Sequence, residues 1–434
     1  MEEILKQAQK VAEAAEVFSV SSEDTPVQFE ANRLKHIQSN QNRYLTLRII
    51  KNGCLGYAVT TDPDKREELV AAAVETSQFG RKAEFSMPAP QTYPEVNVFD
   101  SAMEKVTLDQ LVALGEAMVS AVRKENPDVH CDAEVVKGSG TTRIINSSGG
   151  EVSYRQSGFA LGISGQLIRD TDMLFVGDGE GSCHPINDTK KVTALVLRQL
   201  ELAREQAAIA TKLLPVIFTP NGVASALISP LMSAFNGKVV LEGASPLAGK
   251  IGNEMFDRTF SLYDDPTIAY QPHSRPTDDE GTPSQRTALV EGGKVSGFIY
   301  DLQTAALAKT KSTANGGRSR GGLPNPTPSA FTITPGSTSF EDMLSDIKEG
   351  LIIEYLMGAD QGNILSGDFS GNVLLGYKIE SGKIVGRVKD TMVSGNVYQL
   401  LKEITAVGSD AKWEGDSINT PSFYCPGVSV AVKN

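Results

Sequence analysis

Histidine and cysteine are scarce, with four of each in 434 residues. His36, His130, His184 and His273 lie far apart, so no helix carries the His-Glu-x-x-His pattern that puts two imidazoles and a carboxylate on one face. Cys54, Cys131, Cys183 and Cys425 form no Cys-x-x-Cys, which excludes a zinc knuckle and a disulfide framework. A nucleophile elbow is missing, since Gly162-Ile163-Ser164-Gly165 lacks its spacing, and there is no phosphate-binding GxxxxGK[ST] loop. No uninterrupted apolar run approaches the roughly 18 residues of a membrane span. Basic excess is absent too. Lys+Arg number 41 against 53 Asp+Glu, a net charge of −12, which opposes direct nucleic-acid binding. The opening MEEILKQAQKVAEAAE is charged and amphipathic, unlike a secretory leader, and a cytoplasmic chain with free thiols is expected.

What is present is ordinary globular material: 40% hydrophobic and 22% charged residues in a length that suits two or three domains. Apolar spacing predicts a helix over 2–16, then alternating strands at 17–20, 27–38 and 44–59, with Lys51-Asn52-Gly53 as a hairpin turn. Further helices are predicted from Asp62-Pro63 to about Gly80 and over Leu108–Lys124, the latter capped by Thr107 with Gln110. Ser147-Ser148-Gly149-Gly150 reads as a turn between two long strands. GDGEGS at 177–182 reads as the loop ending that sheet, followed by a helix to about 211 capped by Asn187 or Asp188. The division between halves is placed at 212, giving an N-terminal α+β domain (subdomains of about 1–100 and 101–212). A β-rich C-terminal domain, 213–434, follows it, the two packing separately. In that second half a helix is predicted over 339–356. EGGKVSG at 291–297 and ESGKIVG at 380–386 echo one another, as a repeat or as two hairpins sharing turn chemistry. Helices gathered around antiparallel hairpins define an α+β class.

Few constellations could carry chemistry. His130-Cys131 and Cys183-His184 would each offer one ligand, because neighbours on a strand face opposite ways. Asp264-Asp265 and Asp278-Asp279-Glu280 read as solvated turns in preference to a hard-cation site. In Asn315–Gly322, backbone amides with Arg318 and Arg320 make a candidate ligand loop for a peptide carboxylate or backbone carbonyls, against a flexible Gly-rich connection. Over 219–235, Leu227, Ile228, Leu231 and Phe235 make a core stripe, Ser225, Ser229 and Ser233 a stripe of small residues, and Pro230 predicts a bend.

Several segments together resemble one family, the TldD/PmbA proteins, historically called modulators of DNA gyrase. They are FEANRLKHIQSNQNRYLTLRIIKNGCLGYAVTTD, INSSGGEVSYRQSGFALGISG, DDEGTPSQRTALVEGGKVSGFIYDLQTA with Pro324-Asn325-Pro326-Thr327 beyond it, and DTMVSGNVYQLLKEITAVGSD. The resemblance implies a two-domain α+β fold of mostly antiparallel sheets, a dimeric assembly and a role in cytoplasmic peptide processing. TldD-like members carry His-Glu-x-x-x-His on the helix that TPNGVASALISPLMSAF resembles, plus a cysteine in a Gly-rich segment. Here Ser229, Pro230 and Ala234 stand at the motif positions, and Cys425 falls beyond the Gly-rich segment. The resemblance is therefore to PmbA/TldE-like subunits. It implies no catalytic residue, metal or cofactor in this chain, with zinc only in a TldD-like partner. Expected partners are a second copy or that TldD-like subunit, and a peptide or unfolded protein; no membrane is implied.

Overall fold

The computed structural model describes residues 1–432 except Thr171, Asp360 and Asp416, with every side chain among them but that of Arg320. Helix α1 covers only Glu2–Ala8. The predicted continuation to residue 16 fails because Ala14 already opens a long strand, β1 (Ala14–Glu30), paired on both sides. Two-sided pairing outweighs the helical preference of an Ala/Glu run. Strands β2 (Arg33–Ile37), β3 (Asn40–Lys51) and β4 (Cys54–Thr60) precede helices α2 (Arg66–Ser77) and α3 (Leu108–Glu125). Strands β5 (His130–Asn146), β6 (Glu151–Arg169) and β7 (Asp172–Ser182) follow, then α4 (Lys190–Leu202). The sheet order is β4-β3-β1-β5-β6-β7, with β2 on β1, and its pairings are antiparallel.

Local signals were accurate where the chemistry is local. The α3 cap is a reciprocal pair: Gln110 N donates to Thr107 Oγ1 at 3.3 Å, and Thr107 N donates to Gln110 Oε1 at 2.8 Å. At α4 the N-cap is Thr189 without a side-chain cap, in place of Asn187 or Asp188, although Asp188 accepts from Lys190 N, and the helix ends at Leu202 and not near 211. Residues 177–182 are no loop but the end of β7. Asn52-Gly53, Gly292-Gly293 and Ser381-Gly382 all have positive φ at both positions. This is the backbone a two-residue hairpin needs, so the 291–297 and 380–386 echo is one of turn chemistry.

Beyond residue 211 five strands close on themselves. In order they are Glu349–Met357, Lys212–Phe218, Phe423–Val432, Thr391–Asn396 and Asp368–Glu380, the last pairing back with the first. A smaller sheet joins Thr287–Glu291, Leu262–Asp264, Phe331–Ile333, Ile418–Thr420 and Lys412–Glu414. The helix predicted to residue 356 stops at Asp346, and EGLIIEYLM is a strand. It shows no alternation because both faces are buried. Leu351 and Ile353 join Val216 and Phe218 in one core. Ile352 joins Ile217 and Tyr377 in another, which also holds Val119 and Val122 of α3 and Val192 and Val196 of α4. The halves are thus not separately packed, as the sequence predicted, but share a core through the second face of the C-terminal sheet.

The 219–235 segment is two helices, Pro220–Ala226 and Ile228–Ala234, broken at Leu227. Pro230 sits in the first turn of the second, where the missing N–H costs no helical hydrogen bond. The first helix lies against the neighbouring strand at Gly222, where a Cβ would come 2.2 Å from Ile353 O. Gly222→Ala is expected to force the helix off the strand at a loss of about 1–3 kcal/mol. An unchanged urea midpoint would refute that contact.

Candidate functional site

The two acidic clusters are not solvated turns. Asp264, Asp278 and Glu280 are buried, at 1%, 1% and 0% exposure. Asp264 accepts from Asn315 Nδ2 at 2.6 Å and from the amides of Ser329 and Ala330. Asp278 accepts from the amides of Glu280, Thr282 and Gly316. Glu280 meets Arg48 Nη1 at 2.5 Å, and Arg48 Nη2 meets Glu16 at 2.8 Å. Burial raises Asp278 to about 6, and burial with Asp278 and Asp301 alongside raises Glu280 to about 7 in spite of Arg48.

The 315–322 loop is part of this lock. Arg318 is buried, ion-paired with Glu16 and hydrogen-bonded to Asp279 O and Gly322 O, its guanidinium 5.1 Å from the Phe18 ring centroid. Thr46 Oγ1 donates to Gly321 O at 2.7 Å. Of the residues offered as ligand contacts, Asn315 is engaged by Asp264 and Thr327 O, and Arg318, engaged by Glu16, also lines a cavity of about 380 Å³. Arg318 reaches Glu16 on β1, 302 residues away, and Asn315 reaches Asp264, 51 residues away. The Arg320 side chain falls outside the described residues.

Nor do the motif-aligned positions form a metal site. Ser229 is half-buried, Pro230 and Ala234 are buried, and neither of the latter has a side-chain donor. Cys425 lies inside the closed sheet opposite Val216, where burial pushes its thiol up to about 12. This donor set does not fit zinc. Among the described residues no group of three or more His, Cys, Asp or Glu is placed to hold a metal ion. His184 instead meets Asp100 at 2.7 Å and stacks on Tyr270. Cys131 is buried beside the exposed His130, the opposite facing that the strand geometry predicted.

A cleft does exist where the two halves meet. Cavities of about 720, 390 and 360 Å³ share Asp178 and Glu414 and so run together. The largest has a floor of Gly162, Gly177 and Gly179 on β6 and β7, where missing side chains leave the trough open. Trp413, the single tryptophan, lines it. The middle cavity is more apolar, with Phe175, Tyr355 and Leu375. Gln199 of α4 bonds both N and O of Gly177, occupying the outer edge of β7 at that residue. Lys412 joins Asp178 and, at 3.2 Å, Glu414. Glu354 accepts from Thr219 Oγ1. Burial raises Asp178, Glu354 and Glu414 above ordinary carboxylates. These residues come from separated segments of both halves, and no motif in the sequence links them; the glycine alternation of 177–181 was the one available signal.

The fold and the cleft define an α+β protein of two interlocked halves with an open trough between them. The family model described as PmbA/TldA metallopeptidase matches in three parts: domain 1 at 15–77, the central domain at 103–214 and the C-terminal domain at 211–432. The chain belongs to this PmbA/TldA metallopeptidase family. An uncharacterised protein of Methanocaldococcus jannaschii is 27% identical over 98% of this chain and 99% of its own length. A metalloprotease of Methanothermobacter thermautotrophicus is 24% identical over 94% of this chain and 90% of its own. The crystal structure of TldE from Thermococcus kodakarensis superposes with a TM-score of 0.92 at 23% identity, covering 99% of both chains, which establishes the shared fold. Among the described residues no helix is long and apolar enough to cross a membrane.

Proposed function

We propose that this chain is the PmbA/TldE-like, non-hydrolytic subunit of a cytoplasmic metalloprotease, holding an extended peptide in the cleft while a TldD-like subunit supplies the zinc. What supports this reading is chemical: by the resemblance, Ser229, Pro230 and Ala234 stand at the motif positions, and none of the three offers the imidazole or carboxylate that zinc chemistry needs, inside a family of metallopeptidases. A catalytic zinc needs about three protein ligands and a general base. The N-terminal unit to residue 212 contributes the trough floor. The unit from 213 contributes the rim at 409–415 and the strand Glu349–Met357.

Metal analysis and a peptide-cleavage assay test it, on the chain alone and mixed with a TldD-like chain. The lone chain is expected to hold no stoichiometric zinc and cleave nothing, and the mixture to show chelator-sensitive cleavage. One equivalent of tightly held zinc in the lone chain would overturn the assignment. Light scattering is expected to give about twice the 46.4 kDa chain mass for the lone protein or one-to-one assembly with the partner. A monomer that ignores the partner at micromolar concentration would count against it.

A further inference from the structure

Charge along the cleft is one-sided. The largest cavity is lined by Glu30, Asp132, Glu134, Asp178, Glu180 and Glu414, with no Lys or Arg. The adjoining one adds Glu341, Glu354 and Asp410 against Arg198 and Lys412 only. Acid surplus alone is common on surfaces and would carry little. Here one carboxylate is buried and half used. The Asp178 side chain is 5% exposed, its Oδ1 takes the Lys412 ammonium, and its Oδ2 has no hydrogen-bond partner. A buried charged oxygen without a donor is costly, on the order of 1–3 kcal/mol or more. Asp178 lines all three cavities, so its carboxylate borders a ligand in any of them, and a direct bond to the shielded Oδ2 requires the side chain to turn.

We propose that the cleft recognises the basic side chain of an extended peptide, whose ammonium or guanidinium donates to Asp178 Oδ2 between Glu354 and Glu414. The inference rests on the reading of this chain as a peptide-holding subunit, and adds the class of peptide it prefers. An organic cation suits the site better than a metal ion, because these carboxylates do not converge as a ligand set. Lys412 shows the geometry at work: Asp178 and Glu414 already hold one ammonium from the chain itself. The apolar wall of Phe175, Tyr355 and Leu375 beside Asp178 suits the aliphatic stem or an apolar neighbouring residue.

Trp413 makes the test direct, since its fluorescence reports on the cavity alone. The full chain is titrated with a capped hexapeptide bearing one central lysine, and with versions carrying norleucine or glutamate instead. A charge-assisted hydrogen bond in a buried site is expected to give the lysine peptide roughly tenfold tighter binding than norleucine, with glutamate weakest. Asp178→Asn is expected to abolish that preference, and Glu354→Gln to reduce it without orphaning Lys412. Equal affinity for the three peptides overturns this inference and leaves the peptide-holding reading intact. A lysine preference unchanged in both variants overturns the site. Binding of none of them, with or without a TldD-like chain, overturns both.

Discussion

Arg48→Met is expected to lower folding stability by about 3–5 kcal/mol, the usual result of removing one partner from a buried ion pair. Arg48 is 2% exposed between two carboxylates, Glu16 and Glu280, that are fully buried. Without it Glu280 loses its salt bridge, while Glu16 keeps Arg318. The two carboxylates come from β1 and from the C-terminal half, so the lesion falls on the joint between the halves. The control is the triple variant Glu16→Gln, Arg48→Met, Glu280→Gln, which removes the charges together. It is expected to recover part of the loss, because the cost lies in the stranded charge and not in the missing attraction. Urea denaturation of the two variants and the parent measures this. A single variant within about 0.5 kcal/mol of the parent would show that the network does not hold the joint.

The same network predicts an unusual pH dependence. Stability is expected to fall as pH rises from about 5 to about 7.5. Glu280 is raised from 4.5 to about 7 and Asp278 from 3.8 to about 6, both by burial first. A carboxyl whose folded value lies above its unfolded value makes the native state bind the extra proton. Its contribution is full below the unfolded value and is lost as pH climbs through the folded one. For Glu280 the span is on the order of 3 kcal/mol, from about 1.4 kcal/mol per pH unit. Asp264, Asp178, Glu354 and Glu414 are raised as well and act in the same direction. Carboxylates held low by partners, such as Asp172 and Glu349, lose their contribution only in acid below this window. Urea midpoints at pH 5 and 7.5 decide the matter. A higher midpoint at pH 7.5 would refute the burial argument, and Glu280→Gln is expected to flatten the slope.

Both predictions concern residues whose role the sequence did not reveal. Asp278 and Glu280 sit in a polar, Pro- and Gly-rich stretch that reads as an exposed turn. Glu280 is buried against Arg48, 232 residues away along the chain, and Asp278 against the amides of Glu280, Thr282 and Gly316. Arg318 was singled out for its planar fork, and its nitrogens are spread over Glu16, from 302 residues away, Asp279 O and Gly322 O. Asp178 was hidden for a related reason. Its neighbours at 354, 412 and 414 become neighbours only when the C-terminal sheet lays its second face on α3 and α4. The strand Glu349–Met357 was misread because periodicity marks a strand only when one face meets water.

By itself the sequence determined what local forces and residue chemistry decide. These were the α3 cap, the hairpin turns, the α+β class and the family resemblance. Each depends on residues within a few positions of one another, or on which side chains are present at all. Tertiary structure alone decided which charges are buried, how the halves join, and where the acidic cleft opens. Those depend on contacts between segments hundreds of residues apart, and burial is a property of the packed chain that no short window of residues contains.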